Sequence, residues 1–564
     1  MNTMKTEIEL AIAGICKELF KLDVEVTLTR PDEQFGDYAT NVALQLAKQL
    51  KSPPAGGPAE IAKQIASKLT VVMSGQVASA NVAGPGFLNI VLSDEALWQS
   101  SHQKVAAPFF GQTAVVEYSN PNPFKILHAG HLYTSIVGDA IANLLEIAGA
   151  IVHRVNFGGD VGLHVGKTMW SMLQSLGGEY PEKLNEIPKK DRSEWMTSNY
   201  IKGTAAYEDD EKAKSKIIQL NKQIYQISSD GDKDSALAQI YWTCRQWSYD
   251  YFDEFYEQLG IKFEKYYPES ETSDIGLSKV KENIGKVFEQ SDGAVIFDAK
   301  KYGLHTRVFI NSQGLPTYEA KDVGLIFKKW QDYHFDRSIV ITGNEQTQYM
   351  AVVLKAIEQF APDLVKATTH LTHGMVKLTG GQKMSSRKGN ILRALEILEA
   401  VRAATAVRQK KEDTDSALGA VKYSFLKQRL GGDIVFDIDE SVALEGNSGP
   451  YLQYAHARAR SILKKSDAVL GSKNQKPSLQ AGERSLLRKI TEYTDVVDRS
   501  VEELMPHHIC TYLYETAQIF NRFYENNRVL GDTRQAIRLK LVLAYADVLK
   551  HGLGLLKIPA PEKM

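Results

Sequence analysis

Cysteine is scarce. The three in 564 residues, Cys16, Cys244 and Cys510, lie hundreds of positions apart, so neither a disulfide framework nor a zinc-type spacing can be read from them. A reducing compartment is the simplest setting. An excess of either charge is missing too: 67 Lys+Arg against 68 Asp+Glu leave a formal charge of −1, which excludes a polycation that binds any nucleic acid it meets. Long apolar runs are also absent. Thr70 to Ser93 carries no charge, but Ser74, Gln76, Asn81, Gly84, Pro85 and Gly86 break it too often for a spanning helix, so no membrane partner is expected. The first residues hold Glu7, Glu9 and Glu18 and lack the basic start and apolar core of a secretory signal, which makes the cytoplasm the expected location. No period of about 20–50 residues repeats, which disfavours solenoids and propellers.

What is present is enough for several cores: 43% hydrophobic residues over a length that divides into three to five units at roughly 100–200 residues each. Residues 1–110 mix a helical pattern (Ala39, Val42, Ala43, Leu46, Ala47, Leu50), a Pro/Gly loop and the apolar run Phe87 to Leu92, and read as a small α+β domain. Residues 111–390 read as a nucleotide-binding α/β domain. There the run Ala114 to Val116, the non-helical SNPNPFK, a strong helix from about Gly130 and a second run Ile151 to Phe157 fit a βαβ crossover. Its inserts, at about 167–290, are rich in Lys, Glu, Asp and Gln at helical spacing and read as mostly helical. Residues 391–564 read as all-α, with nine Lys/Arg against two acids between Tyr451 and Lys489; a solvated face and a nucleic-acid surface both fit that patch.

Two motifs carry chemistry. The first is HAGH, His128 to His131, at a helix start directly after a strand. Free N–H groups and the helix dipole suit that position to phosphate, Ala129 and Gly130 admit a nucleotide close to the backbone, and the two imidazoles could donate to a phosphate oxygen that gains charge. A metal site is the weaker reading, because the Glu of HExxH is missing and no third ligand stands at a telling spacing. Two surface histidines are the plainer alternative. The second motif is KMSSRKGN, Lys383 to Asn390. Five basic residues and no acid lie between Lys377 and Arg393, as a clamp on a triphosphate requires; alone it would pass for a solvated linker.

Together the two resemble the HIGH and KMSKS signatures of class I aminoacyl-tRNA synthetases, and their surroundings resemble the arginyl-tRNA synthetases. The resemblance runs through VEYSNPNPFKILHAGHLYTSIVGDA, GNEQTQYM, GPYLQYAHARARSIL and the terminal GLGLLKIPAPEKM, with FGDYATNVALQLAK similar to the family's N-terminal tRNA-binding domain. It implies a Rossmann-type catalytic domain with helical inserts, an N-terminal α+β domain that touches the tRNA D-loop and an all-α anticodon-binding domain. It also implies an ATP-dependent ligase that activates L-arginine to arginyl-adenylate and transfers it to the 2′-OH of the terminal adenosine of tRNA(Arg). Activation is expected to need tRNA, magnesium to arrive with ATP, and the chain to act as a monomer.

By the same resemblance, Glu117, Asn122, His128, Tyr318, Asp322 and Gln346 hold arginine, with Asn344 and Glu345 as neighbours to which the Gln346 match could slip. His128, Gly130, His131, Lys383, Met384, Ser385 and Ser386 bind ATP. Catalytic roles fall to His128, His131, Lys383 and Lys388. Ser386 stands where KMSKS has its second lysine, a loss shared by many arginyl enzymes, and Lys125, three residues before the first histidine, is expected to compensate. Phe87 and Asn89, then Tyr451, Tyr454, Arg458 and Arg460, match tRNA-contacting regions, where stacking and charge would act; apolar packing is the alternative for Phe87 and both tyrosines. A guanidinium pocket can reject analogues by about 10⁴–10⁵, so no editing domain is required. The rivals are a class I synthetase of other specificity, a small nucleotidyltransferase and a catalytically silent tRNA binder.

Overall fold

The computed structural model describes residues 3–379, 392–466 and 478–564. Three regions follow one another along the chain. The first holds helices α1 (Met4–Phe20), α2 (Val42–Gln49) and α3 (Gly57–Val72) on an antiparallel sheet of strands β1 (Tyr38–Thr40), β2 (Val77–Ala83) and β3 (Phe87–Leu92) in the order β1-β3-β2. Ala39 lies in β1 and not in the helix that the apolar spacing suggests, which starts at Val42; its strand pairs with β3, Ala39 opposite Asn89. Tertiary pairing has overridden three residues of helical periodicity.

After α4 (Asp94–Ser100) the central region begins with β4 (Thr113–Glu117), α5 (Ala129–Ile147) and β5 (Ile151–Gly158). Four helices follow: α6 (Leu163–Leu176), α7 (Arg192–Asp209), α8 (Glu211–Asp230) and α9 (Ala236–Leu259). Next come β6 (Lys265–Pro268), α10 (Glu269–Glu282), an antiparallel sheet of β7 (Glu289–Ser291), β8 (Ala294–Phe297) and β9 (Arg307–Ile310), and α11 (Tyr318–Tyr333). Then β10 (Arg337–Gly343), α12 (Thr347–Glu358), α13 (Pro362–Lys366), β11 (Thr368–His373) and β12 (Val376–Leu378) complete it.

The central sheet runs β11-β10-β4-β5-β6, every neighbouring pair parallel. Strands covered on both faces must be apolar throughout, and Ala114, Val115 and Val116 of β4 are fully buried. Chain order reverses between β4 and β10. Ligands of such sheets settle at that switch, beyond the carboxyl ends of the strands. One expectation changes here: β6, inside the segment read as helical insert, is the edge strand of this core sheet. At four residues, two of them charged or proline, it is too short to show a strand period.

The last region is helical, α14 (Ala394–Gln409), α15 (Thr414–Leu426), α16 (Ile438–Ser441), α17 (Gly449–Lys464), α18 (Ala481–Thr491), α19 (Tyr493–Glu503), α20 (His507–Asn526) and α21 (Gln535–Leu555), with one short strand, β13 (Ile434–Phe436), paired parallel to β12. Helix α5 is the hub. Its side chains are buried almost all round, and Asn143 near its end donates to the carbonyls of Gly554 and Leu555 at 3.0 and 3.1 Å. Gly138 lets it approach β4's extension: a Cβ there would fall on the buried Tyr118 ring, far inside van der Waals distance.

Candidate active site

Between β4 and α5 the chain takes an unusual path. Ser119, Asn120 and Phe124 all have left-handed backbone conformations, at φ 71°, 48° and 66°, rare for side chains with a Cβ and typical of strained functional loops. Burial explains how it is held. Phe124 sits fully buried in the core of the α6–α9 helices, and its N–H donates to Ser248 Oγ of α9 at 2.9 Å. Thus the inserted helices fix the loop, and the next residue, Lys125, lies with its ammonium 4.2 Å from the centroid of the Tyr200 ring of α7.

His128 is the N-cap of α5. Its Nδ1 accepts from Gly130 N–H and His131 Nδ1 accepts from His128 N–H, both at 3.1 Å, and the rings lie 3.8 Å apart. Since each Nδ1 is an acceptor, each proton sits on Nε2. Burial holds both rings below the usual imidazole range, His131 far below, with the charge of Lys125 adding to it. The pair is therefore two neutral N–H donors beside a lysine, at a helix N-terminus. At Gly130 a Cβ would come 2.9 Å from the His128 ring, so a larger residue would push that ring from its place.

Residues just beyond KMSSRKGN return to this turn. Ala129 N–H donates to Leu392 O at 2.8 Å and Ala394 N–H to Leu127 O at 3.0 Å, with Arg393 bridged to His128. Lys383, Met384, Ser385, Ser386 and Lys388 themselves lie outside the described residues.

A second cluster forms beyond β5. Asn122 Oδ1 accepts from Gly159 N–H at 2.8 Å, His164 Nε2 donates to Gly159 O at 2.8 Å, and Tyr318 OH lies 3.3 Å from His164 Nδ1. Burial, with Lys125 and Lys321 adding to it, pushes His164 down to about 3, so the ring is neutral, and with Nε2 donating, Nδ1 is the acceptor. A Cβ on Gly159 would meet Asn122, Glu269 and His164 at about 3 Å, which shows how closely the three converge.

Beneath them lie three buried carboxylates. Glu269 pairs with Lys321 Nζ at 2.5 Å, and Glu117 pairs with Lys329 Nζ at 2.6 Å while accepting from Asn120 Nδ2 at 2.9 Å. Asp322 has no cation paired with it among the described residues. Its Oδ2 accepts from Tyr349 OH of α12, and its carboxyl is pushed up to about 8 by burial first and by Glu117 and Glu269 as well, against the lowering by Tyr349 and Lys329. So Glu117 enters this pocket as a charge already matched, and Asp322 as the acid that is not. Gln346 is exposed at the end of β10's turn; it is the neighbouring Glu345 whose charge acts on His128 and His373.

Further out, Phe87 is 43% exposed, and Asn89 lines a cleft of about 230 Å³ with Phe35, Arg484 and Arg488. Tyr451 packs against Tyr514 and accepts from Asn521, whereas Tyr454 is 46% exposed. Arg458 lies over Tyr524, and Arg460 pairs with Glu562 at 2.7 Å. Sequence reasoning passed over His164, Glu269, Lys321 and Tyr349. The glycine-dense GGDVGLHVG after β5 was the available signal for His164; the others are brought in from α10, α11 and α12 only by folding.

Three family models match the chain end to end: "Arginyl tRNA synthetase N terminal domain" over residues 2–92, "tRNA synthetases class I (R), catalytic domain" over 93–437 and "DALR anticodon binding domain" over 452–564. Among curated relatives, an arginine–tRNA ligase of Bdellovibrio bacteriovorus is 30% identical, covering 95% of this chain and 93% of its own, and one of Porphyromonas gingivalis is 27% identical over 99% of both. Among solved structures, the arginyl-tRNA synthetase of Thermus thermophilus superposes with a TM-score of 0.79 at 27% identity over the whole of both chains.

Proposed function

Because the chain belongs to the class I arginyl-tRNA synthetases, we propose that it performs their ATP-dependent joining of arginine to tRNA with Asp322 as the acceptor of the substrate guanidinium and the HAGH turn as the phosphate site. The single observation that carries this reading is the buried carboxyl of Asp322, which has no cation among the described residues, amid two that have one. An acid so placed ionises readily only when a positive ligand joins it.

With the guanidinium there, Asn122 stands by the α-amino end, and the substrate carboxylate points toward the turn where ATP's phosphates meet His128 and His131. In-line attack on the α-phosphate forms arginyl-adenylate and releases pyrophosphate; the charge that builds on phosphate oxygens is met by the two Nε2–H donors, the first N–H groups of α5 and Lys125. Preorganised neutral donors lose nothing to a change of protonation. Lys383 and Lys388 are assigned to the pyrophosphate end by motif, and magnesium is proposed to enter on ATP's own oxygens. The 2′-OH of the terminal adenosine then attacks the adenylate carbonyl, forming the arginyl ester as the carbonyl–phosphate bond breaks, with release of AMP and the hydroxyl proton. We assign tRNA(Arg) contacts to Phe87 and Asn89 at the D-loop and to Tyr454 and Arg458 in the anticodon domain, and make activation dependent on tRNA. No described helix is long and apolar enough to cross a membrane; a cytoplasmic monomer is the proposed state.

Asp322→Asn tests the pocket. Loss of a buried charge partner predicts an arginine KM raised at least about 100-fold, with the KM for ATP within about threefold of wild type. An unchanged arginine KM would remove Asp322 from the site.

A further inference from the structure

We propose that Tyr349 is a positioning residue for arginine recognition: its hydroxyl holds one oxygen of Asp322 so that the other is presented to the incoming guanidinium. The inference rests on the reading of Asp322 given above. Tyr349 belongs to α12, which packs with α11 in one core, and its hydroxyl is the one hydrogen-bond donor to Asp322 among the described residues; Oδ1 receives none. Among the described residues, the cations near the pair have other partners. Lys329 is committed to Glu117 of β4 and Ser338, Lys321 to Glu269 of α10, and Arg307 of β9, whose guanidinium lies 5.2 Å from the Tyr349 ring centroid, to Glu319 at 3.1 Å. Asp322 therefore faces two carboxylates, Glu117 and Glu269, with only a phenol to satisfy it.

This arrangement sets what the pocket accepts. In the empty site Asp322 keeps its proton near neutral pH, since burial and the two neighbouring acids disfavour a third negative charge. A guanidinium brings the missing positive charge, Asp322 ionises and its proton passes to solvent. An uncharged ureido analogue of the same shape cannot drive that step. Tyr349 acts on both sides of it: by donating to the carboxylate it favours the ionised form, and by occupying Oδ2 it leaves a single oxygen for the ligand. The sign follows. Removing the hydroxyl makes ionisation harder, so the pH above which arginine binds tightly must move up.

Calorimetric titration of the full-length protein with L-arginine between pH 6 and 9, in two buffers of different ionisation enthalpy, tests this on wild type, Tyr349→Phe and Asp322→Asn. For wild type, affinity should rise about tenfold per pH unit to about pH 8 and then level, with close to one proton released per arginine at pH 7. Tyr349→Phe should bind arginine about tenfold more weakly at pH 7, with the break moved upward, and should raise the arginine KM while kcat at saturating arginine stays near wild type. Affinity and break both unchanged in Tyr349→Phe, beside a weakened Asp322→Asn, overturn this inference alone. Wild-type affinity in Asp322→Asn overturns the pocket reading itself.

Discussion

Two histidines four positions long in the sequence, H-A-G-H, say little about protonation; their hydrogen bonds say a great deal. With both Nδ1 atoms turned back to the helix N-terminus, each ring keeps its proton on Nε2 and stays neutral, and Lys125 is a positive charge beside the turn. Lys125→Ala should reduce the rate of arginyl-adenylate formation about 100-fold, the size of effect expected for losing one preorganised donor to a developing oxyanion, with the unfolding midpoint nearly unchanged because its ammonium only lies over an aromatic face. A single-turnover activation assay checks this, and equal rates would end the idea that Lys125 replaces the lysine missing at Ser386. At this scale the residues legible from the sequence were those sitting in short local motifs. Tyr349 and Glu269 were not, since no local pattern reveals that a tyrosine and a glutamate 80 residues apart share one buried acid as neighbour.

Among the elements, α5 links chemistry to architecture. Its first turn carries the donors, its middle rests on β4 and Tyr118, and its end is tied to the last helix. Such a helix was readable in advance because its apolar period is long and the strand before it carries the apolar run Ala114 to Val116; β6 was not, being four residues with a polar start. The close approach at Gly138 is the weak point of the assembly. Gly138→Ala should lower the free energy of unfolding by about 1–3 kcal/mol, through a shift of α5 off Tyr118 that outweighs alanine's better helix propensity. Denaturant unfolding measures it, and a variant as stable as wild type or more so would show that the contact relaxes freely.

For the whole molecule, the chain closes on itself: Asp37 of the first region, buried, pairs with Arg484 of α18 at 2.6 Å, and Arg30 with Asp495 of α19 at 2.8 Å. The outer two regions are thus tied directly to one another, and a tRNA that spans D-loop and anticodon, as proposed above, would bear on both. Gly431 O, just before β13, accepts from Asn344 Nδ2 at 2.7 Å beside the Glu345 that acts on His128, so the turn after β10 is in direct contact with the segment leading to the anticodon domain. The coupling proposed above between tRNA binding and activation would run through this contact. The fold class was legible because three unlike compositions follow in order, whereas the docking between them rests on ion pairs and on an apolar core shared by residues as far as about 450 positions apart, which no local pattern reveals. The most direct test is pyrophosphate exchange with ATP for each of the twenty amino acids, with and without total tRNA. Exchange with arginine alone, and only when tRNA is present, is the predicted result; exchange with any other amino acid, or with arginine at the same rate in the absence of tRNA, would contradict it.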